Sequence, residues 1–162
     1  MTPMTDGAPN GYLIATFSGI DYSFRYKAAR MPADFQIAIH TDDVINTDDT
    51  SSLVALANIF AGSSESRVRM RVRRHGDWVT MTQIWPPYQA AYDRDQAMTD
   101  IPYEDLPDPK PTPHIWQANL PAGLPNGVHI LEVEAIDMFG QKDRGIRLIQ
   151  VGKTLGYRYQ PR

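Results

Sequence analysis

The stretch from Ser66 to Ile84 constrains the fold more than any other part of the chain. Within it, arginine occupies every second position over seven residues, with valine or methionine in between. Because successive side chains of a β-strand point to opposite faces, this alternation places every arginine on one face and every apolar residue on the other. An α-helix would distribute the same arginines around its circumference. The arginines are Arg67, Arg69, Arg71 and Arg73, and the apolar residues are Val68, Met70 and Val72.

A turn containing Gly76 follows this strand at residues 74–77, and the chain returns through residues 78–82 (WVTMT), most of which favour strands. We therefore predict a β-hairpin over Ser66 to Ile84, with one buried face and one face in water.

Length and composition indicate a single globular domain. The chain has 162 residues, of which 42% are hydrophobic and 22% are charged, and its formal net charge is -3. A mildly acidic chain has no overall field that would attract nucleic acid or an anionic membrane. Because cysteine is absent, disulfides, thiolate zinc sites and cysteine nucleophiles are excluded. No apolar run is long enough to span a membrane, and the first residues do not resemble a signal peptide.

Short runs with strand patterns, separated by turn residues, recur along most of the chain. They predict an all-β fold, an antiparallel β-sandwich of immunoglobulin or fibronectin III character. We assign residues 1–40 to an N-terminal turn and β-hairpin segment, residues 41–152 to the sandwich and residues 153–162 to a tail. The predicted strands are Tyr12 to Phe17, Tyr22 to Ala28, Phe35 to His40, Leu53 to Phe60, the two strands of the Ser66–Ile84 hairpin, His114 to Leu120, Val128 to Ile136 and Ile146 to Val151.

Other segments are predicted to be irregular. Seven of the thirteen prolines lie between Pro86 and Pro113, which predicts one long proline-rich loop with a short helix at residues 88–98. Thr41 to Ser52 is predicted to be an acidic, solvated loop. Leu53 to Phe60 has apolar residues at both odd and even positions, which fits a buried helix or a central strand. The turn residues after it favour the strand.

The strand from Val128 to Ile136 is expected to lie beside the arginine strand. Its outward residues Glu132 and Glu134 then face Arg69 and Arg71, and opposite charges across two strands stabilise their pairing.

The sequence contains few candidates for chemistry. It has no glycine-rich phosphate loop, no nucleophile elbow and no zinc-binding helix motif, and its four histidines lie in separate elements. Aromatic residues cluster near the proline-rich loop, beside Asp93 and Asp95. Such a cluster suits a sugar ring, a partner protein or simple packing over one end of the sandwich. The residues of this candidate aromatic surface are Trp85, Tyr88, Tyr92 and Tyr103.

Three groups of motifs resemble the C-terminal domain that follows the catalytic domain in bacterial calcineurin-like metallophosphoesterases. The resemblance extends from Asp6 to Val151, and its first and last motifs are the most specific. The motifs are DGAPNGY at residues 6–12, YKAARMP at residues 26–32, and HIWQANLP at residues 114–121 with GVH at 127–129 and DMFGQ at 137–141.

The resemblance implies a non-catalytic β-sandwich that packs on a phosphoesterase domain and supports it. In such proteins the catalytic domain holds two divalent metals through Asp, His and Asn ligands, and none of those ligand motifs occurs in this chain. No cofactor is expected in the chain itself, and the parent protein is expected to be exported. The alternatives are a carbohydrate-binding module that uses the loop aromatics and an adhesion or assembly domain. The residues expected to contact the preceding domain are Asp6, Asn10, Tyr12, Lys27 and Arg30.

Overall fold

The computed structural model describes residues 4, 6–46, 53–85 and 110–152. These residues form eleven β-strands in three sheets, and the described part contains no helix. The strands are β1 (Gly11–Ser18), β2 (Asp21–Ala28), β3 (Ile37–His40), β4 (Val44–Ile45), β5 (Val54–Ile59), β6 (Arg67–Val72), β7 (Val79–Thr80), β8 (Thr82–Ile84), β9 (Ile115–Asn119), β10 (Gly127–Ile136) and β11 (Lys142–Val151).

Two of the sheets face each other across one hydrophobic core. The five-stranded sheet has the order β4-β11-β10-β6-β7, and the four-stranded sheet has the order β3-β5-β9-β8. All pairs are antiparallel except β4 with β11. The predicted all-β sandwich is therefore confirmed. The core includes Ile37, Ile39, Ala55, Ala57, Val68, Met70, Val72, Trp116, Leu131, Val133 and Ile149.

The arginine strand occupies the predicted position. β6 pairs with β10 so that Arg69 lies opposite Glu134 and Arg71 opposite Glu132, as predicted. The intervening residues of β6 point into the core, and each has a relative exposure of 3% or less. However, the two glutamates, expected on a wet face, are also buried, with relative exposures of 1% for Glu132 and 0% for Glu134. The expectation of solvated carboxylates was wrong, because cationic side chains cover them.

The return strand of the predicted hairpin is divided between the two sheets. β7 pairs with β6 in one sheet, whereas β8 pairs with β9 in the other. Met81, between them, is buried in the core, and its backbone N–H still donates to the carbonyl of Val68. The prediction of one continuous return strand was therefore wrong: the chain changes sheet at Met81, as strands do at the corners of sandwiches.

The ambiguous segment from Leu53 to Phe60 is a strand, as favoured. β5 lies between β3 and β9, so both of its edges are paired. One face contributes to the main core, and Leu56 on the other packs against Ile115. One strand was missed, since β4 lies inside the predicted acidic loop and pairs with β11.

β1 and β2 form the predicted N-terminal hairpin, which is a two-stranded sheet of its own. Eight residue pairs run from Gly11 opposite Ala28 to Ser18 opposite Asp21. β3, which ends the segment 1–40, pairs with β5 of the sandwich. The predicted helix at residues 88–98, most of the proline-rich loop and the tail at residues 153–162 lie outside the described residues.

Candidate functional site

The turn at residues 6–10 is fastened to the sandwich by polar contacts. The Oδ1 atom of Asp6 accepts the backbone N–H of Ala8 at 3.1 Å, which closes a turn. Asn58, fully buried on β5, donates from Nδ2 to the carbonyl of Gly7 at 3.0 Å. The hydroxyl of the buried Tyr26 donates to the carbonyl of Pro9. These contacts fix the point at which the chain enters the hairpin.

His114 completes this anchor. Because the Nδ2 atom of Asn58 donates to Gly7, its Oδ1 atom is an acceptor, and it lies 2.8 Å from Nδ1 of His114. The imidazole therefore carries its proton on Nδ1 and turns Nε2 toward Oδ2 of Asp6, 3.4 Å away. Burial lowers the pKa of His114, and the carboxylate of Asp6 partly opposes that shift.

The five residues predicted to contact a preceding domain lie at the base of the hairpin. Tyr12 is exposed on β1, and Asn10 and Arg30 are exposed beside it. Lys27 is engaged within the chain, since its Nζ donates to the carbonyls of Ala28 and Met31 at 2.9 and 2.7 Å. Asp6 likewise points at His114. No described contact tests their predicted role, which remains a prediction.

Sequence reasoning missed the most conspicuous surface of the N-terminal segment, the apolar end of the hairpin. Leu13, Phe17 and Tyr22 lie on one face of β1 and β2, and Ile20 lies in the turn between them. Phe17 is 72% exposed and Ile20 is 98% exposed. The signal that could have revealed this surface is the Phe17-Ser-Gly-Ile20 turn, because the tip of a solvated hairpin normally carries polar residues. We call Phe17 and Ile20, which flank the turn, the hairpin tip.

The middle of the hairpin packs against the β10–β11 turn of the sandwich. The rings of Tyr22 and Phe24 meet Phe139 with centroids 5.7 and 5.8 Å apart. Arg25 pairs with Asp143 at 2.9 Å. The hairpin is thus braced at its base and middle, while its tip faces solvent.

The aromatic surface predicted near the proline-rich loop is described only at its first residue. Trp85 follows β8 and is 62% exposed. Tyr88, Tyr92 and Tyr103 lie outside the described residues, so the glycan-binding alternative remains a prediction.

The outer face of the five-stranded sheet carries a charged cluster built around the two buried glutamates. Glu134 accepts from Nη2 of Arg69 at 2.6 Å and from Nε of Arg144 at 3.0 Å. Glu132 accepts from Nε of Arg71 at 2.9 Å and from Nε of Arg73 at 3.2 Å. Lys142 approaches Glu134 at 3.7 Å. We call the five cations the cation array; its members are Arg69, Arg71, Arg73, Lys142 and Arg144.

This cluster keeps both glutamates ionised. Hydrogen bonds from Arg73 and Arg71 lower the pKa of Glu132 against the opposing effect of its burial. For Glu134, burial raises the pKa, but the hydrogen bonds from Arg69 and Arg144 outweigh it, so the pKa is lowered. On the outer side the indole of Trp78 lies against two of the guanidiniums, with centroid distances of 4.6 Å to Arg69 and 4.4 Å to Arg71.

Within the described ranges, no three His, Asp or Glu side chains converge in a way that could hold a metal ion. The rings of His75 and His129 meet edge to face with centroids 4.7 Å apart, and Nε2 of His129 lies 2.7 Å from the carbonyl of Pro125. In that same part of the chain, no helix has the length and apolarity needed to span a membrane.

Comparison with known proteins gives one family. Residues 1–142 match the family described as the C terminal of calcineurin-like phosphoesterase. No curated protein matches the chain. Among solved structures, the crystal structure of CopC from Methylosinus trichosporium OB3b is similar with a TM-score of 0.38 and 10% identity, over 72% of this chain and 91% of that chain, a likeness too weak to support an argument. On the family match, which spans most of its length, this chain belongs to the C-terminal domains of calcineurin-like phosphoesterases.

Proposed function

We propose that this chain is a non-catalytic accessory domain that packs on a phosphoesterase domain and supports it, with the N-terminal hairpin as the contact. The observation that carries the proposal is the hairpin tip, an apolar surface at the end of a separate two-stranded sheet in a family that accompanies phosphoesterase domains.

The composition of the tip favours a protein surface as its partner. Phe17 and Ile20 flank the turn and are both more than two-thirds exposed, and the half-exposed Leu13 and Tyr22 lie on the same face of the hairpin as Phe17. Apolar groups of this kind are characteristic of interfaces, since their transfer out of water contributes roughly 25 cal/mol per Å². The edge of β1 is also long, uncharged and rich in strand-forming residues, a combination that natural proteins usually cover.

The bracing of the hairpin explains how docking at its tip would support a neighbouring domain. A contact made by Phe17 is transmitted through the β1–β2 ladder to the Arg25–Asp143 ion pair and to the Asn58–Gly7 hydrogen bond. The sandwich therefore acts as a rigid base for the hairpin. On this proposal the two divalent metals and the hydrolytic chemistry belong to the phosphoesterase domain.

A protein that contains both the phosphoesterase domain and this chain tests the proposal. The double variant F17S/I20S removes the two most exposed apolar side chains of the tip without touching the buried base. We expect the melting temperature of the phosphoesterase domain to fall and the hairpin to become accessible to limited proteolysis. The matched control is Val79→Ser, which removes an exposed apolar side chain from β7.

Two results would contradict the proposal. One is the absence of a phosphoesterase domain in frame with this coding sequence. The other is an unchanged melting temperature and unchanged proteolysis in F17S/I20S compared with Val79→Ser.

A further inference from the structure

The outer face of the five-stranded sheet contains, beside the cation array, a second surface of opposite character. Ile146 lies opposite Glu132 in the β10–β11 pairing, and Leu148 lies opposite Ile130. Val128 and Val44 extend the same face toward β4, since each pairs with Gln150. Val128, Ile146 and Leu148 are each more than 60% exposed. We call this surface the aliphatic patch; its members are Val44, Val128, Ile130, Ile146 and Leu148.

The cation array carries a positive charge that its own carboxylates do not balance. Five cations share two glutamates, so the array has a surplus of three positive charges on a chain whose formal net charge is -3. Each guanidinium has five N–H donors, and no more than two of them donate to the glutamates. The arginine side chains are between 35% and 54% exposed, so their remaining donors face water.

The buried glutamates hold the array in a fixed geometry before any ligand arrives. Both carboxylates are inaccessible to water, and Trp78 lies against Arg69 and Arg71. Immobilising a long side chain on binding normally has an entropic cost, and here much of that cost is met when the chain folds. Arg69, Arg71 and Arg73 stand at alternate positions, about 6.6 Å apart along the strand direction.

We propose that this face binds an extended acidic segment of a partner protein. Carboxylates at alternate positions of an extended peptide repeat at the same spacing of about 6.6 Å and would meet the arginines one to one. Apolar side chains on that same face of the segment, beyond its carboxylates, would cover Ile146 and Leu148 two strands away on β11. The adjoining aliphatic patch favours a peptide over a purely polyanionic polymer, because such a polymer offers nothing apolar to bury there.

Selection from a random dodecapeptide library on the folded chain tests this inference, independently of the hairpin contact. The counter-selection uses the triple variant R73Q/I146S/L148S, which leaves Glu132 its bond to Arg71. We expect the enriched peptides to combine several Asp or Glu residues with Leu, Ile or Phe. Their dissociation constants, measured by fluorescence polarisation, should rise at least tenfold in I146S/L148S and increase steeply with salt. The control is Val79→Ser, and thermal melting confirms that each variant is folded.

Three outcomes would overturn the proposal. The first is that wild type enriches no sequences over the triple variant. The second is that the enriched sequences show no acidic excess. The third is that triphosphate or heparin binds as tightly as the selected peptides and with the same affinity for I146S/L148S, which would make this a general polyanion site.

Discussion

Replacing Glu132 by glutamine removes one of the two charges that hold the cation array together. In the native protein the Glu132 carboxylate accepts a hydrogen bond from Nε of Arg71 at 2.9 Å and two from Arg73, through Nε and Nη2, at 3.2 Å each. Glutamine keeps one carbonyl oxygen but turns an NH₂ group toward a guanidinium, so a donor faces a donor. Both arginines also lose the negative charge that offsets their own.

The expected cost follows from the burial of the carboxylate and the partial exposure of its partners. Breaking a fully buried ion pair costs about 3–5 kcal/mol, and hydrogen bonds to charged groups contribute about 1.5–3 kcal/mol. Arg71 and Arg73 are 35% and 45% exposed and can turn to water, which reduces the penalty. We expect the free energy of unfolding to fall by about 2–3 kcal/mol, and the melting temperature by about 5–10 °C for a chain of this size.

Urea denaturation followed by tryptophan fluorescence measures this change in the full chain. The matched control is Glu65→Gln, the same substitution at an exposed position before β6, which should change stability by less than about 0.5 kcal/mol. A Glu132→Gln variant within 0.5 kcal/mol of wild type would refute the reasoning, since it would mean that the buried carboxylate contributes no more than a surface ion pair, ~0.5 kcal/mol.

Three further predictions concern pH and catalysis. Because the folded-state pKa values of Glu132 and Glu134 are lowered, the stability they contribute is present above their ordinary pKa of 4.5 and is lost as the pH falls through the lowered values. The urea midpoint should therefore drop as the pH falls below 4.5, and it should drop less steeply in Glu132→Gln; parallel curves would contradict this. The pKa of His114, measured by NMR, should lie below 6.5, and Asp6→Asn should lower it further because the opposing carboxylate is gone; an upward shift would show that Asp6 does not act on the imidazole. The purified chain should not hydrolyse p-nitrophenyl phosphate with added manganese or zinc, and metal-dependent turnover abolished by substituting one of its residues would disprove a non-catalytic role.

The sequence predicted the centre of the sandwich well because side-chain alternation has only two phases. Once the arginines of β6 are assigned to one face, Val68 and Met70 must be in the core, and an alternating partner such as β10 follows. Alternation indicates the face on which a residue lies, however, and not how far its side chain is buried. Whether Glu134 is wet or buried depends on Arg144 of β11, a neighbour that the pattern of β10 does not specify.

The parts that were missed depend on tertiary context. Nothing in the residues around Met81 marks the place where the chain passes from one sheet to the other, and β4 is too short to show a period. The alternation in β2 places Tyr22, Phe24 and Tyr26 on one face, but it does not indicate that Tyr26 is buried against Phe60 while Tyr22 is half exposed. The predicted interdomain residues depend on a second domain, and their role is still to be measured.

The position of β10 has a consequence for synthesis on the ribosome. β10 lies between β6 and β11, so the middle of the five-stranded sheet comes from the last third of the chain. Until residues 127–136 leave the exit tunnel, the arginines of β6 lack the glutamates with which they pair. The core also lacks the middle strand of its five-stranded sheet. Pairing that links such distant parts of a chain is slow compared with local structure. We therefore expect the core of the sandwich to form only after β10 and β11 have emerged from the ribosome, so the earlier strands β6 and β4 stay unpaired with them in the nascent polypeptide until then.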